Sequence, residues 1–304
     1  MGYYFQAGEP VAGGVRRVAK EQLDRALEAL SGGEQKLDIH GARKSLKKVR
    51  GLLRLVRDRL DASFRVENSA IRDAGRVLSP LRDAEALVEG FDALRDQFEG
   101  ELPTETYDFL GQALVERRER IRKTQCDAES RVADVRNRIR EARRRAGKWK
   151  LKSRGFDALE PGFRDVFRSA RKNMAKAYAD PTDERFHEWR KRVKDHWYHV
   201  RLLKDTWPAM LEVRQTAMKQ LSDMLGDDHD MTVLGEVVRA EPELLPNAET
   251  CEPFLQVIDR RKRELREEAE LLGRRLFAGT PKSHGKQLRA YWETWKTESG
   301  RGRT

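Results

Sequence analysis

The amino-acid sequence predicts an all-α protein. Apolar residues recur at intervals of three and four along nearly the whole chain, whereas the strict alternation typical of strands is scarce. The 304 residues are enough for one large or two medium domains. Apolar residues make up 38% of the chain and stay periodic, so the high charged fraction of 37% does not indicate disorder.

Turn residues divide the first half of the chain into four helical segments. The first segment is predicted to end at the Ser-Gly-Gly sequence at 31–33. The third is expected to bend at Ser79-Pro80, because proline disfavours helix in the residue before it. The four predicted segments are 11–30, 34–60, 62–98 and 104–145.

A second set of four segments follows a link at 147–155. We expect a break at Gly226-Asp227 in its third segment and a Pro-rich loop at 241–248 before its fourth. The predicted segments are 163–179, 181–205, 208–239 and 252–276. The sequence therefore predicts a first four-helix repeat over 1–147 and a second over 148–280, and the basic tail at 281–304 has room for one short terminal helix.

Two helical segments lie 147 positions apart and carry the same pattern of cations. Residues 39–57, IHGARKSLKKVRGLLRLVR, reappear in altered form at 186–204 as FHEWRKRVKDHWYHVRLLK. On a helical wheel of about 100° per residue, the cations of each copy share one face and the apolar residues another. The first cationic face holds His40, Arg43, Lys44, Lys47, Arg50 and Arg54. The second holds His187, Arg190, Lys191, Lys194 and Arg201.

The single sign of these two faces favours an anion-binding site over an ordinary solvated surface. Solvated helix faces usually mix signs, because acid–base pairs four residues apart stabilise a helix and like charges destabilise it. Arginine binds phosphate oxygens through two parallel hydrogen bonds, lysine offers a compact charge, and histidine donates when protonated. Turned inward by a twofold relation, the two faces would line one basic groove or central pore.

A second pair of matching blocks supports the duplication. LSPLRDAEAL at 78–87 aligns with LGDDHDMTVL at 225–234, again 147 positions apart, which predicts two four-helix bundles related by a pseudo-twofold. We interpret Asp83 and Asp230 as structural residues that cap a helix or neutralise an arginine, rather than as ligands of a divalent cation. The metal-like run at 227–230 has no counterpart in the first copy, so no metal site is predicted.

Composition indicates polyanionic partners and gives no support to an enzyme. The net charge of +11 and pI near 9.7 favour a polyanion. No apolar run is long enough to span a membrane and no secretory signal is present, so we expect a cytoplasmic protein. Cys126 and Cys251 form no recognisable disulfide or zinc framework. Walker, GxGxxG and GxSxG motifs are absent from the sequence, so neither catalysis nor a cofactor is predicted.

A strongly basic stretch leaves an alternative open. Residues 116–154 contain 16 Arg or Lys against 6 Asp or Glu, which is compatible with a solvated helix, a nucleic-acid contact or a further wall of the anion site. The alternative function is therefore RNA or DNA binding through the helix at 117–154. Weaker candidates for the anion site, paired at an offset of 143, are Arg117, Arg118, Arg260 and Arg261.

The repeated His-x-x-Arg-Lys-x-x-Lys helix, followed in each half by Leu-x-x-x-x-Asp, resembles the CHAD family, the conserved histidine α-helical domain. The resemblance covers about 11–276. It implies two four-helix bundles around a basic pore that binds long inorganic polyphosphate without catalysis, and association with polyphosphate granules in some members. By position it assigns binding to both cationic faces and to Arg82. In the second half His229 takes the place of Arg82 and is a further weaker candidate for binding, and Trp197 takes the place of Arg50.

Overall fold

A computed structural model describes residues 2–32, 37–60, 63–124 and 128–301. Within these ranges the chain is helical, and its only β-type pairing is an isolated bridge between Leu60 and Leu151. The all-α prediction is confirmed. The described helices are α1 (Val11–Ala29), α2 (Ile39–Leu55), α3 (Ser63–Val77), α4 (Ser79–Gln97), α5 (Thr104–Thr124), α6 (Ala128–Ala146), α7 (Glu160–Ala179), α8 (Asp183–Leu203), α9 (Pro208–Ala240), α10 (Cys251–Leu276) and α11 (Pro281–Arg301).

The helix boundaries of the first half follow the turn residues. The predicted bend before Pro80 separates α3 from α4 at Leu78. The predicted start of the second segment at 34–36 lies outside the described residues, and α2 begins at Ile39 after an Asp38 cap. Residues 125–127, which were predicted to continue one long helix, also lie outside them. On either side of that gap, α5 packs against α4, and α6 packs against α1 and α3.

The predicted break at Gly226-Asp227 is wrong. Helix α9 runs unbroken over 33 residues, from Pro208 to Ala240. A glycine inside a helix costs only about 1 kcal/mol relative to alanine, and packing on both sides of Gly226 outweighs that cost. Leu225 and Met231 are buried, and the buried Asp228 carboxylate accepts a hydrogen bond from Arg266 Nε at 2.6 Å.

The apolar core consists of two clusters, and each contains helices from both halves of the sequence. The larger cluster joins α1, α2, α3 and α6 to α7, α8, α11, the first half of α9 and the end of α10. The smaller joins α4 and α5 to the second half of α9 and the first half of α10. The predicted division into repeats at 147/148 therefore has no counterpart in the packing of the core and stays a prediction.

The basic C-terminal tail forms a full helix that is packed onto the body. Helix α11 has 21 residues and lies against α7. Trp292 is buried and packs edge-on against Phe5, with ring centroids 5.9 Å apart. Lys296 Nζ donates to the carbonyl oxygens of Ala7 and Glu9 at 2.5 and 2.8 Å. The tail thus fastens the N-terminal segment in place.

Candidate functional site

Helices α2 and α8, which carry the two cationic faces, touch at equivalent residues. A Cβ atom on Gly51 would lie 2.9 Å from Cβ of Tyr198, the residue 147 positions later, so only glycine allows this approach. The ring nitrogen Nε2 of His199 lies 3.0 Å from the Gly51 carbonyl oxygen. Contact between equivalent residues is what a twofold relation produces. The pseudo-twofold stays a proposal, and these contacts support it.

Two further contacts between α2 and α8 join equivalent positions, but one pairs opposite charges and the other pairs like charges. Arg54 Nη1 forms an ion pair with Asp195 Oδ1 at 2.9 Å. The residues equivalent to these two are Arg201 and Lys48, which also interact: burial and then the charge of Arg201 lower the pKa of Lys48 to about 8. The first contact attracts and the second repels. Lys48 lies off the predicted cationic face, so the wheel did not identify it.

Six cations from the middle parts of α2 and α8 come together, and we refer to them as the cationic cluster. They are Arg43, Lys44, Lys47, Arg190, Lys191 and Lys194. Burial lowers the pKa of Lys47 to about 8, and the charges of Arg43, Arg190 and Lys194 act in the same direction. Burial lowers the pKa of Lys194 to about 8 as well, with Arg190 and Lys44 among its cationic neighbours. Cations from both faces therefore influence one another directly.

The cluster lines a recess that water can enter. The Lys47 side chain is exposed, yet surrounding protein reduces its solvation enough to lower its pKa. Among the described residues, no carboxylate lies within 4.0 Å of Lys44, Lys47, Arg190 or Lys194, whereas Lys191 Nζ pairs with Glu188 at 2.5 Å. Four like charges held together with no carboxylate in ion-pair contact destabilise the empty site and favour an anion.

Arg43 ties the cluster to the junction of α3 and α4. Its guanidinium donates to the Gly75 carbonyl oxygen at 2.8 Å and to the Ser79 hydroxyl, and it lies 3.7 Å from an Asp83 carboxylate oxygen. This contact supports the structural interpretation of Asp83. A substitution of Arg43 would therefore change the fold as well as the site.

The histidines of the two halves lie at the edge of the cluster, and burial lowers the pKa of each. The rings of His187 and His229 stack with centroids 4.2 Å apart. Burial and the adjacent cations lower the pKa of His187 to about 4 and that of His229 to about 3. The pKa of His40 is lowered by burial and then by Arg82, the residue that His229 replaces in the second half. Each half thus places its histidine beside the equivalent residue of the following block, Arg82 in the first half and His229 in the second.

Arg82 and the remaining predicted binding residues of the two faces have partners within the protein. Arg82 forms two parallel hydrogen bonds with Glu89, at 2.8 and 2.7 Å, and Arg50 Nε donates to Asn68 Oδ1 at 3.2 Å. Trp197, in the place of Arg50, holds cations against its ring: Lys194 Nζ lies 4.6 Å from the centroid and the Arg201 guanidinium carbon 4.9 Å.

The four weaker candidates all form ion pairs on α5 and α10. Arg117 pairs with Glu241 at 2.8 Å, Arg118 with Glu119 at 3.1 Å and Arg261 with Glu264 at 3.4 Å, while Arg260 pairs with Glu101. No described contact joins Arg117, Arg118 or Arg260 to the cationic cluster. Arg261 lies near Asp227, an acidic residue beside the cluster. Burial raises the pKa of Asp227, and the charge of Arg261 lowers it.

Acidic residues of α9 border the cluster, and one of them, Asp223, was not identified from the sequence. Asp223 and Asp227 influence Lys194 and Asp230 respectively, and burial raises the pKa of Asp230 to about 6 although Arg190 is close. The metal-like run at 227–230 is divided, because Asp228 turns to Arg266. Among the described residues, no three potential metal ligands of the His, Cys, Asp or Glu type converge.

Comparison with known proteins identifies similar sequences and structures. A family model described as the CHAD domain matches residues 17–239. The structure of PptA from Streptomyces chartreusis is similar, with a TM-score of 0.58 and 15% identity over 89% of this chain and 100% of that one. The CHAD domain from the plant Ricinus communis has a TM-score of 0.52 and 16% identity over 95% and 94% of the two chains. No match was found among curated protein sequences. None of the described helices is both long and apolar enough to cross a membrane.

Proposed function

This chain belongs to the CHAD domain family, and we propose that it binds long-chain inorganic polyphosphate, without catalysis, in the recess lined by the cationic cluster. The observation that carries the proposal is the meeting of Lys44, Lys47, Arg190 and Lys194 in a water-accessible recess with no carboxylate within 4.0 Å among the described residues. The family is associated with polyphosphate binding.

The chemistry of the ligand matches that of the site. Polyphosphate carries about one negative charge per phosphate with free oxygens on every side, so a dense group of cations can bind it without reading any sequence. The guanidinium of Arg190 supplies paired donors, and the lysines supply mobile point charges. Binding relieves the repulsion in the empty recess, so it stabilises the fold by about 2.7 kcal/mol at a ligand concentration of about 100 times Kd.

Titration with long-chain polyphosphate tests the proposal. The variant Lys44→Gln/Lys47→Gln/Lys191→Gln/Lys194→Gln removes four cations of the cluster and leaves Arg43 and its structural contacts intact. A matched control, Lys172→Gln/Arg263→Gln/Arg275→Gln/Lys286→Gln, loses the same net charge from exposed positions elsewhere. We expect the cluster variant to bind at least about 100-fold more weakly than the control, since a hydrogen bond to a charged group contributes about 1.5–3 kcal/mol. Equal affinities would refute the site.

The finer parts of the proposal have separate tests. We propose two repeats related by a pseudo-twofold, with the recess as part of a basic groove or pore between them, and residence in the cytoplasm at polyphosphate granules. Imaging of the tagged protein in cells with and without polyphosphate tests the location. Incubation of polyphosphate with the protein and Mg²⁺ or Mn²⁺ is expected to release no phosphate, and release above that of the cluster variant would show a hydrolase.

A further inference from the structure

A second group of cations lies on the outside of the protein, at the end of α6 and in the segment that follows it. Between Ala128 and Arg154 the sequence has eleven Arg or Lys and three Asp or Glu, so most of the chain's net charge of +11 lies here. We use the name basic edge for its exposed members, which are Arg140, Arg144, Lys148, Lys150, Lys152 and Arg154.

The segment after α6 is held so that its cations point outward. Trp149 is buried, its carbonyl oxygen accepts from Arg16 Nη1 at 3.1 Å, and Leu151 pairs with Leu60 across the isolated bridge. The backbone N–H of Lys152 donates to the Arg59 carbonyl oxygen at 2.8 Å. Trp149 and Leu151 are held against the protein, whereas Lys148, Lys150 and Lys152 are exposed, so these three cations face solvent. The row is a built feature of the surface.

The cations of the basic edge are available to an external anion. No carboxylate of the described residues lies within 4.0 Å of any of them. The one side chain among the six with a hydrogen bond inside the described part of the chain is that of Arg140, which donates to the neutral side chain of Asn137 at 2.8 Å. Other arginines of α6 are paired: Arg138 with Asp134 at 2.8 Å, and Arg145 with Glu67 at 2.8 Å. The contrast shows that α6 neutralises some of its cations and leaves one edge uncompensated.

The basic edge is separate from the cationic cluster. Helix α6 packs on α1 and α3, and the segment after it runs beside the residues that follow the C-terminal end of α2. Lys44 lies eleven residues before the last residue of α2, which is about 16 Å along the helix axis. The two groups of cations therefore share no residue and lie toward different ends of α2.

We propose that the basic edge binds the sugar–phosphate backbone of a nucleic-acid duplex. In a nucleic-acid strand a sugar separates successive phosphates, which suits widely spaced cations, whereas polyphosphate places its charges one oxygen bridge apart and suits a dense cluster. Proteins that bind single strands stack bases on exposed aromatic rings, and the one aromatic residue of this segment, Trp149, is 4% exposed. Contacts to phosphates alone carry no sequence preference.

Fluorescence anisotropy with a labelled DNA duplex of mixed sequence, over a range of salt concentrations, tests this inference. The edge variant is Lys148→Gln/Lys150→Gln/Lys152→Gln/Arg154→Gln, and the exposed control quadruple described above loses equal charge. We expect the edge variant to bind at least about 100-fold more weakly than the control at about 0.1 M salt. Its slope of log K against log salt should be smaller by about 3.6, or about 0.9 for each lost phosphate contact.

Crossing the two sets of variants separates this surface from the polyphosphate site. The cluster variant is expected to keep its affinity for the duplex, and the edge variant its affinity for long-chain polyphosphate. Duplex binding that survives in the edge variant, or that is lost in the cluster variant, would overturn the proposal. A third result would also overturn it. If the cluster variant bound polyphosphate through the basic edge, and with higher affinity than it binds the duplex at equal phosphate concentration, the basic edge would be a second polyphosphate site.

Discussion

Polyphosphate binding is expected to take up protons near pH 8, because Lys47 and Lys194 each have a pKa of about 8 in the empty site. Both values lie below the 10.5 of a solvated lysine, so the folded protein releases these protons at lower pH than the unfolded chain does. The two lysines therefore contribute stability above pH 10.5, which is lost as pH falls through about 8. A bound polyanion reverses the shift and restores the protons.

The size of the uptake follows from the two pKa values. If bound phosphates return both to above about 10, the site takes up about 0.2 protons at pH 7, about 1 at pH 8 and about 1.8 at pH 9. Affinity then falls about 100-fold between pH 7 and pH 9, by about tenfold for each lysine. Lys48 has a similar pKa but is buried beside the Tyr3 ring, with Nζ 5.7 Å from the centroid, so it is not counted.

Calorimetric titration in buffers that differ in protonation enthalpy measures the uptake directly. The variant Lys47→Arg/Lys194→Arg serves as the control, because a guanidinium keeps its charge over this pH range. The variant is expected to bind at pH 8 with no uptake from these positions and to lose most of the fall in affinity between pH 7 and pH 9. Binding heats of the unmodified protein that do not depend on the buffer at pH 8 would refute the assignment of the two lysines to the ligand site.

Three further predictions concern the scaffold. Gly51→Ala is expected to lower the free energy of unfolding by about 1–3 kcal/mol, because its Cβ would lie 2.9 Å from that of Tyr198; a urea midpoint equal to that of the unmodified protein would contradict the close approach. His196→Leu is expected to raise the melting temperature, since both nitrogens of this fully buried ring have no partner; a lower one would show that the ring is satisfied. Arg266→Met should destabilise by about 3 kcal/mol, because it leaves the buried Asp228 carboxylate unpaired, and the added change Asp228→Asn should restore part of the loss in the same denaturation assay.

Periodicity accounts for most of what the sequence could predict. Spacing alone assigned the helices and placed His40, Lys44 and Lys47 on one face, because the geometry of a helix is local. Burial and contacts between helices depend on residues that are distant in sequence, so periodicity could not predict them. The break expected at Gly226 does not form, and the carboxylate of Asp195 that pairs with Arg54 was not anticipated.

The outward-facing row of cations illustrates the same limit. Sequence reasoning treated 117–154 as a single basic stretch, with three interpretations open. Only the structure separates Arg117, which pairs with Glu241, from Lys148, Lys150 and Lys152, which have no carboxylate partner among the described residues. That distinction depends on where distant carboxylates lie, and the composition of a segment does not contain it.

The mixed signs at the contact between α2 and α8 make the two halves non-interchangeable. If a twofold relates them, a first half paired with a copy of itself would place Arg54 against Lys48 twice, and a second half paired with itself would place Arg201 against Asp195 twice. The first arrangement repels and the second attracts. Only the joining of unlike halves gives one attractive and one repulsive contact, so Lys48 lies opposite Arg201 while Arg54 has a carboxylate partner in Asp195.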